Sequence, residues 1–115
     1  MHLRVVAATL LISAALCAAQ QAGADLAEAD RLFDGGAYAE ARTIYRKYLD
    51  LNSEGDGATK AAFRLADAWR LDTSVTQQRR LNEAIAAYEL ALANHPENPV
   101  APEAYYQLAL SYIDL

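Results

Sequence analysis

Shifting the chain by 43 residues along itself places Glu54 on Glu97, Ala58 on Ala101, Ala61 on Ala104, Phe63 on Tyr106, Leu65 on Leu108, Ala66 on Ala109 and Trp69 on Tyr112. The same shift puts Glu40 on Glu83, Ala41 on Ala84, Tyr45 on Tyr88 and Leu49 on Leu92. One offset thus aligns two separate apolar stripes, each at helical spacing, and such fixed-period self-similarity is the mark of a solenoid of stacked units. Packing explains the order of residue sizes. An alanine lets two helix backbones approach, and a tyrosine or tryptophan from the adjoining turn fills the space beside it. The expected fold is all-α, built from helical hairpins.

The first residues belong to a different regime. A basic start, Met1 to Arg4, leads into the twelve-residue apolar run "VVAATLLISAAL", Val5 to Leu16, short for a bilayer span but of the length of a signal-peptide core. Residues 1–24 are read as a signal peptide, cut after Ala19 in "CAA" or after Ala24 in "AGA", the second being the cleaner small-x-small site. A competing reading puts a lipid on Cys17 and ties the chain to the outer membrane, but Leu16 stands where a small residue normally precedes a lipidated cysteine. Cys17 is the only cysteine, so a cleaved chain has no disulfide, thiol nucleophile or thiolate metal site.

What remains holds nine basic and fifteen acidic side chains, a net charge of −6. An acidic small domain is a poor ligand for a phosphate backbone, which argues against nucleic-acid partners. With 54% hydrophobic and 22% charged residues the chain has the balance of an ordinary globular domain.

Residues 25–115 divide by pattern. In the first unit, 25–53, Leu26, Ala29, Leu32 and Phe33 recur at helical spacing, "DGGAY" interrupts them, and Tyr38, Ala41, Tyr45, Tyr48 and Leu49 resume. The loop "NSEGDGAT" offers Ser53 or Thr59 as a helix cap. The second unit, 58–96, pairs a helix carrying Ala61, Ala62, Leu65, Ala66 and Trp69 with one from about Leu81 to Asn94. Between them "DTSVTQQRR" is about six residues longer than the turn at Gly35, and Arg79 and Arg80 within it are expected to be solvated. Pro96 and Pro99 end this unit, and a third begins near Ala101 with one helix, 101–115.

"RLADAW", "QLALSY" and "NEAIAAYELALANHP" carry a family resemblance: the chain resembles tetratricopeptide repeat proteins, with about two and a half repeats. Ala84, Tyr88, Ala91 and Pro96 match that family's small, aromatic, small and turn positions, as Gly35, Gly36, Tyr38, Ala41 and Tyr45 do in the first repeat. Tyr48, Ser53 and Glu28 depart from the pattern. The extended turns, as in "PENPVAPEAYYQLA", are similar to those of bacterial envelope members of the barrel-assembly lipoprotein and Tol-Pal coordinator type. The resemblance implies a periplasmic or envelope scaffold that holds a partner protein or peptide in a concave groove. Its chaperone-clamping members carry lysine and then asparagine where this chain has Leu26 and Asp30, which speaks against that use.

The inventory for chemistry is thin. His95 is the one histidine beyond the leader and is read as an exposed turn residue. No nucleophile triad, phosphate loop or complete calcium loop is present; "NSEGDGAT" has alternating acids but no closing glutamate. Trp69 and the tyrosines read as core. No enzyme activity and no cofactor or metal are therefore expected. The expected groove lining comes from first-helix residues that point away from the Leu65 and Trp69 stripe: Asp30 and Phe33, then Lys60, Phe63, Asp67 and Arg70, then Tyr106 and Leu110. Aromatic anchors with both charge signs suit an extended or helical protein segment. Two other readings stay open. The apolar last helix fits either a repeat arm at the front of a longer envelope enzyme or a module that self-associates through that helix.

Overall fold

The computed structural model describes the backbone of residues 2–115 and the side chains from Ser13 onward. Five helices follow one another: α1 His2–Asp34, α2 Tyr38–Leu51, α3 Asp56–Leu71, α4 Gln77–Asn94 and α5 Ala101–Asp114. The described residues are all-α. Each helix packs on the next through a short connection, as antiparallel neighbours do, and α1 also touches α3. No helix among the described residues is long and apolar enough to cross a membrane.

The core follows the small-and-large order of the sequence. Ala29, Ala41, Ala61, Ala66, Ala84 and Ala91 are buried where helices meet, and Tyr45, Tyr88 and Trp69 fill the spaces between them. Along α1 the side chains of residues 13–21 are all exposed, and the first fully buried residue is Ala29. The packed body thus begins close to residue 25, while both proposed cleavage points fall within one unbroken helix.

The turn after α1 shows why two glycines stand together. The amide of Ala37 donates to the Leu32 carbonyl at 2.8 Å and that of Gly36 to Phe33 at 3.0 Å, a Schellman closure with Gly36 at φ +82°. A side chain there meets its own carbonyl. Gly36→Ala is therefore expected to cost about 1 kcal/mol, read as a lower urea midpoint with unchanged slope. An unchanged midpoint would show that the turn relaxes without strain.

The next loop does not use the expected caps. Gly55 occupies the N-cap of α3 with no side-chain cap, because Thr59 lies a turn inside the helix and donates back to the Gly55 carbonyl at 3.1 Å. Ser53 precedes the cap by two residues.

The insertion between α3 and α4 is resolved differently from a plain long loop. Under the 43-residue offset α2 corresponds to residues 81–94, yet α4 starts at Gln77, so Gln77–Arg80 form an extra helical turn. The loop itself is only Asp72–Thr76. That extra turn leaves Arg79 exposed, as expected, and draws Arg80 partly out of solution. Arg80 donates from Nη1 to the Arg70 carbonyl at 2.6 Å, satisfying one of the free acceptors at the α3 C-terminus, and Arg79 stands 5.6 Å from the Trp69 ring.

Candidate functional site

In each of two hairpins one tyrosine of the second helix fixes one aspartate of the first. The Tyr45 hydroxyl donates to Asp30, and the Tyr88 hydroxyl donates to Asp67. The tyrosines are 43 residues apart and the aspartates 37, a difference that equals the six-residue insertion between α3 and α4. The same polar joint is thus made twice in space despite the unequal connections.

Both phenols are buried. Burial first, and the neighbouring carboxylate second, push Tyr45 and Tyr88 well above the ordinary tyrosine value, so each remains a hydrogen-bond donor. For Asp30, burial alone would raise the carboxyl. The hydrogen bonds from Lys60 and Tyr45, with the charges of Lys60 and Arg64, outweigh it and hold the group below its usual range.

Of these aspartates Asp67 lines an open groove of about 440 Å³ between α3 and α5, and Asp30 pairs with Lys60 of its lining. From α3 it receives Lys60, Phe63, Arg64, Asp67 and Arg70, from α5 Glu103 and Gln107, with Tyr88 behind. Lys60 Nζ is 2.6 Å from Asp30, and Arg64 lies 3.6 Å from Asp34 with its guanidinium 4.5 Å over the Phe33 ring. Arg70 donates from Nε to the Tyr88 hydroxyl at 2.8 Å and contacts Asp67 at 3.4 Å. Three cations on one face therefore each have a carboxylate beside them. The groove combines an aromatic floor with alternating charge, without a net field of one sign.

Four of the eight residues expected at the groove line it, Lys60, Phe63, Asp67 and Arg70, whereas Asp30 and Phe33 do not and stand behind it, Asp30 paired with Lys60 and Phe33 under the Arg64 guanidinium. Tyr106 and Leu110 do not. Tyr106 is exposed away from the groove, and Leu110 lines a separate recess of about 310 Å³ with Arg80 and Asp114. Phe63, one period earlier, is buried beside His95, whereas among the described residues nothing packs over Tyr106 in that way.

Sequence reasoning missed Arg64, Glu103 and Gln107. Lys60, Arg64 and Asp67 follow one another at i, i+4 and i+7, which was the available signal for Arg64. Glu103 and Gln107 occupy the corresponding places on α5. His95 also differs from expectation. It is half-buried, its Nδ1 lies 3.1 Å from the Thr59 hydroxyl, and its ring packs on Phe63, so it fastens the α4–α5 turn to the start of α3. Among the described residues no group of three or more His, Cys, Asp or Glu side chains is placed to hold a metal ion. No family model, curated protein or solved structure matches this chain.

Proposed function

We propose that this chain is an exported, non-catalytic scaffold of tetratricopeptide type that holds a segment of a partner protein in the groove between α3 and α5, within the bacterial cell envelope. The observation that carries this reading is the groove itself: an aromatic floor flanked by paired charges of both signs on rigid helices. Phe63 and the stems of Lys60 and Arg64 offer apolar contact to a peptide side chain. The paired charges can exchange their internal carboxylate or cation for one on the ligand without leaving a buried charge alone. The repeated tyrosine–aspartate joints support the reading further, since they hold the groove wall in place before any ligand arrives.

A peptide-display selection on the purified chain tests it. Enriched sequences are expected to carry an apolar anchor between charged residues, and to lose at least tenfold in affinity on Arg64→Glu. Both Lys60 and Arg64 are partly solvent-facing, so their replacement leaves the fold intact. Selection of no sequence, or binding indifferent to Arg64→Glu and to Lys60→Glu, would remove the scaffold reading. N-terminal sequencing of the chain recovered from an envelope fraction is expected to begin at Gln20 or Asp25; recovery with Met1 in a cytosolic fraction would contradict export.

A further inference from the structure

The two tyrosine–aspartate joints share their phenols and differ in their cations. At the first, Asp30 uses both carboxylate oxygens: Oδ1 accepts the Tyr45 hydroxyl and Oδ2 takes the Lys60 ammonium at 2.6 Å. At the second, Oδ1 of Asp67 accepts the Tyr88 hydroxyl and also Arg70 Nη2 at 3.4 Å. Its Oδ2 has no partner among the described residues.

The repeat register indicates what the second joint lacks. Asp67 stands 37 residues after Asp30, and one 43-residue period after Lys60 comes Glu103. The neighbouring pair shows that this register holds in space. Arg64 meets Asp34 and Phe33 of α1; its counterpart Gln107 lines one recess with Leu71 and Arg70, the counterparts of Asp34 and Phe33. Glu103 therefore comes to Asp67 as Lys60 comes to Asp30, and both acids line the α3–α5 groove. Glu103 is exposed and accepts Gln107 Nε2 at 2.9 Å, with no cation within 4.0 Å among the described residues. Lys60 and Arg64 are engaged by Asp30 and Asp34. Where the first joint sets a lysine against its carboxylate, the second sets two carboxylates with Arg70 as the cation beside them, one acid in excess.

We infer that the groove recognises a lysine side chain of the bound partner segment, its ammonium lying between Asp67 Oδ2 and Glu103. This rests on the scaffold reading and adds to it the residue that is read. The ligand's lysine takes the place that Lys60 holds in the first joint, and Val100 and Ala104 beside Glu103 receive its aliphatic stem. One exposed ion pair would contribute little; here two carboxylates on opposite walls converge, and a buried phenol already holds one of them in position.

Peptides selected by display on the full chain are the probes. Enriched sequences are expected to share a lysine, and replacing it by glutamine in the chosen peptide to weaken binding at least tenfold, with a smaller difference at high salt. In the protein, Glu103→Lys supplies the missing cation from within, at an exposed position where the fold is kept. It is expected to weaken the lysine peptide at least tenfold and to leave the affinity of the glutamine peptide unchanged, whereas a general disturbance of the groove would weaken both. Selected peptides that lose affinity on Arg64→Glu but share no lysine, or whose two forms respond equally to Glu103→Lys, would overturn the inference and leave the scaffold reading standing. Selection of no sequence would remove both. Self-association that Glu103→Lys abolishes would make a second copy the occupant and overturn the inference as well.

Discussion

Asp72→Ala is expected to destabilise the fold by about 3 kcal/mol, a fall in melting temperature of roughly 15 °C for a body of this size. Asp72 is the C-cap of α3, and its carboxylate is almost fully enclosed. One oxygen accepts the Ser74 amide at 3.1 Å and the Ser74 hydroxyl at 2.5 Å, while the other accepts Arg42 Nη1 at 2.8 Å. Arg42 reaches it from α2, donates also to the Ala68 carbonyl at 3.3 Å, and lies with its guanidinium 3.9 Å over Trp69. The two side chains are only 11% and 9% exposed. Removing the acid strands a guanidinium between helices, and that stranding, more than the lost attraction, sets the size of the effect.

The double variant Arg42→Met with Asp72→Ala distinguishes these causes. It is expected to recover a large part of the single-mutant loss, because no charge is left alone. Additive losses would mean that the loop geometry around Ser74 matters more than the ion pair. The pH dependence has a definite sign. The hydrogen bonds from Ser74, with Arg42, overcome burial and hold the Asp72 carboxyl below its usual range. Its contribution is therefore complete above about pH 4 and is lost as the pH falls through the folded value. Asp72→Ala should flatten that acid limb.

The second large effect lies at the alkaline end. Tyr45 and Tyr88 titrate well above the ordinary tyrosine value because they are buried against Asp30 and Asp67. The unfolded chain gives up these protons near pH 10, and the folded one does not. Stability is then full below about pH 10 and falls above it, by at most about 1.4 kcal/mol per pH unit for each tyrosine. Urea melts between pH 9 and 11.5 measure this directly. Tyr45→Phe with Tyr88→Phe is expected to lower stability at pH 7, since Arg70 Nε loses its acceptor, and to leave a flatter alkaline limb. An alkaline limb as steep as in the parent chain would assign the loss to other groups.

Both effects concern the joints that hold the groove wall. Asp30 and Asp67 are kept in place by buried phenols, and α3 is tied to α2 through Arg42 and Asp72. A scaffold that binds a flexible segment gains affinity when its own wall does not have to be ordered on binding.

Periodicity alone determined that this chain is helical and where its turns fall, because the small-and-large order is a property of each helix face and survives without knowledge of its neighbour. The two glycines after Asp34 and the prolines at positions 96 and 99 marked connections by backbone geometry that the residues carry themselves. Periodicity also singled out Lys60, Phe63, Asp67 and Arg70, since a shared helical face is a matter of spacing. Only the tertiary structure decided how the insertion was spent, because an extra turn at Gln77–Arg80 is stabilised by Arg80 on the α3 carbonyl and Arg79 near Trp69, contacts between distant parts of the chain. It likewise decided that Glu103 and Gln107, and not Tyr106, face the groove. Spacing assigns a residue to a side of its own helix, whereas which side meets a neighbour depends on the angle at which two helices pack.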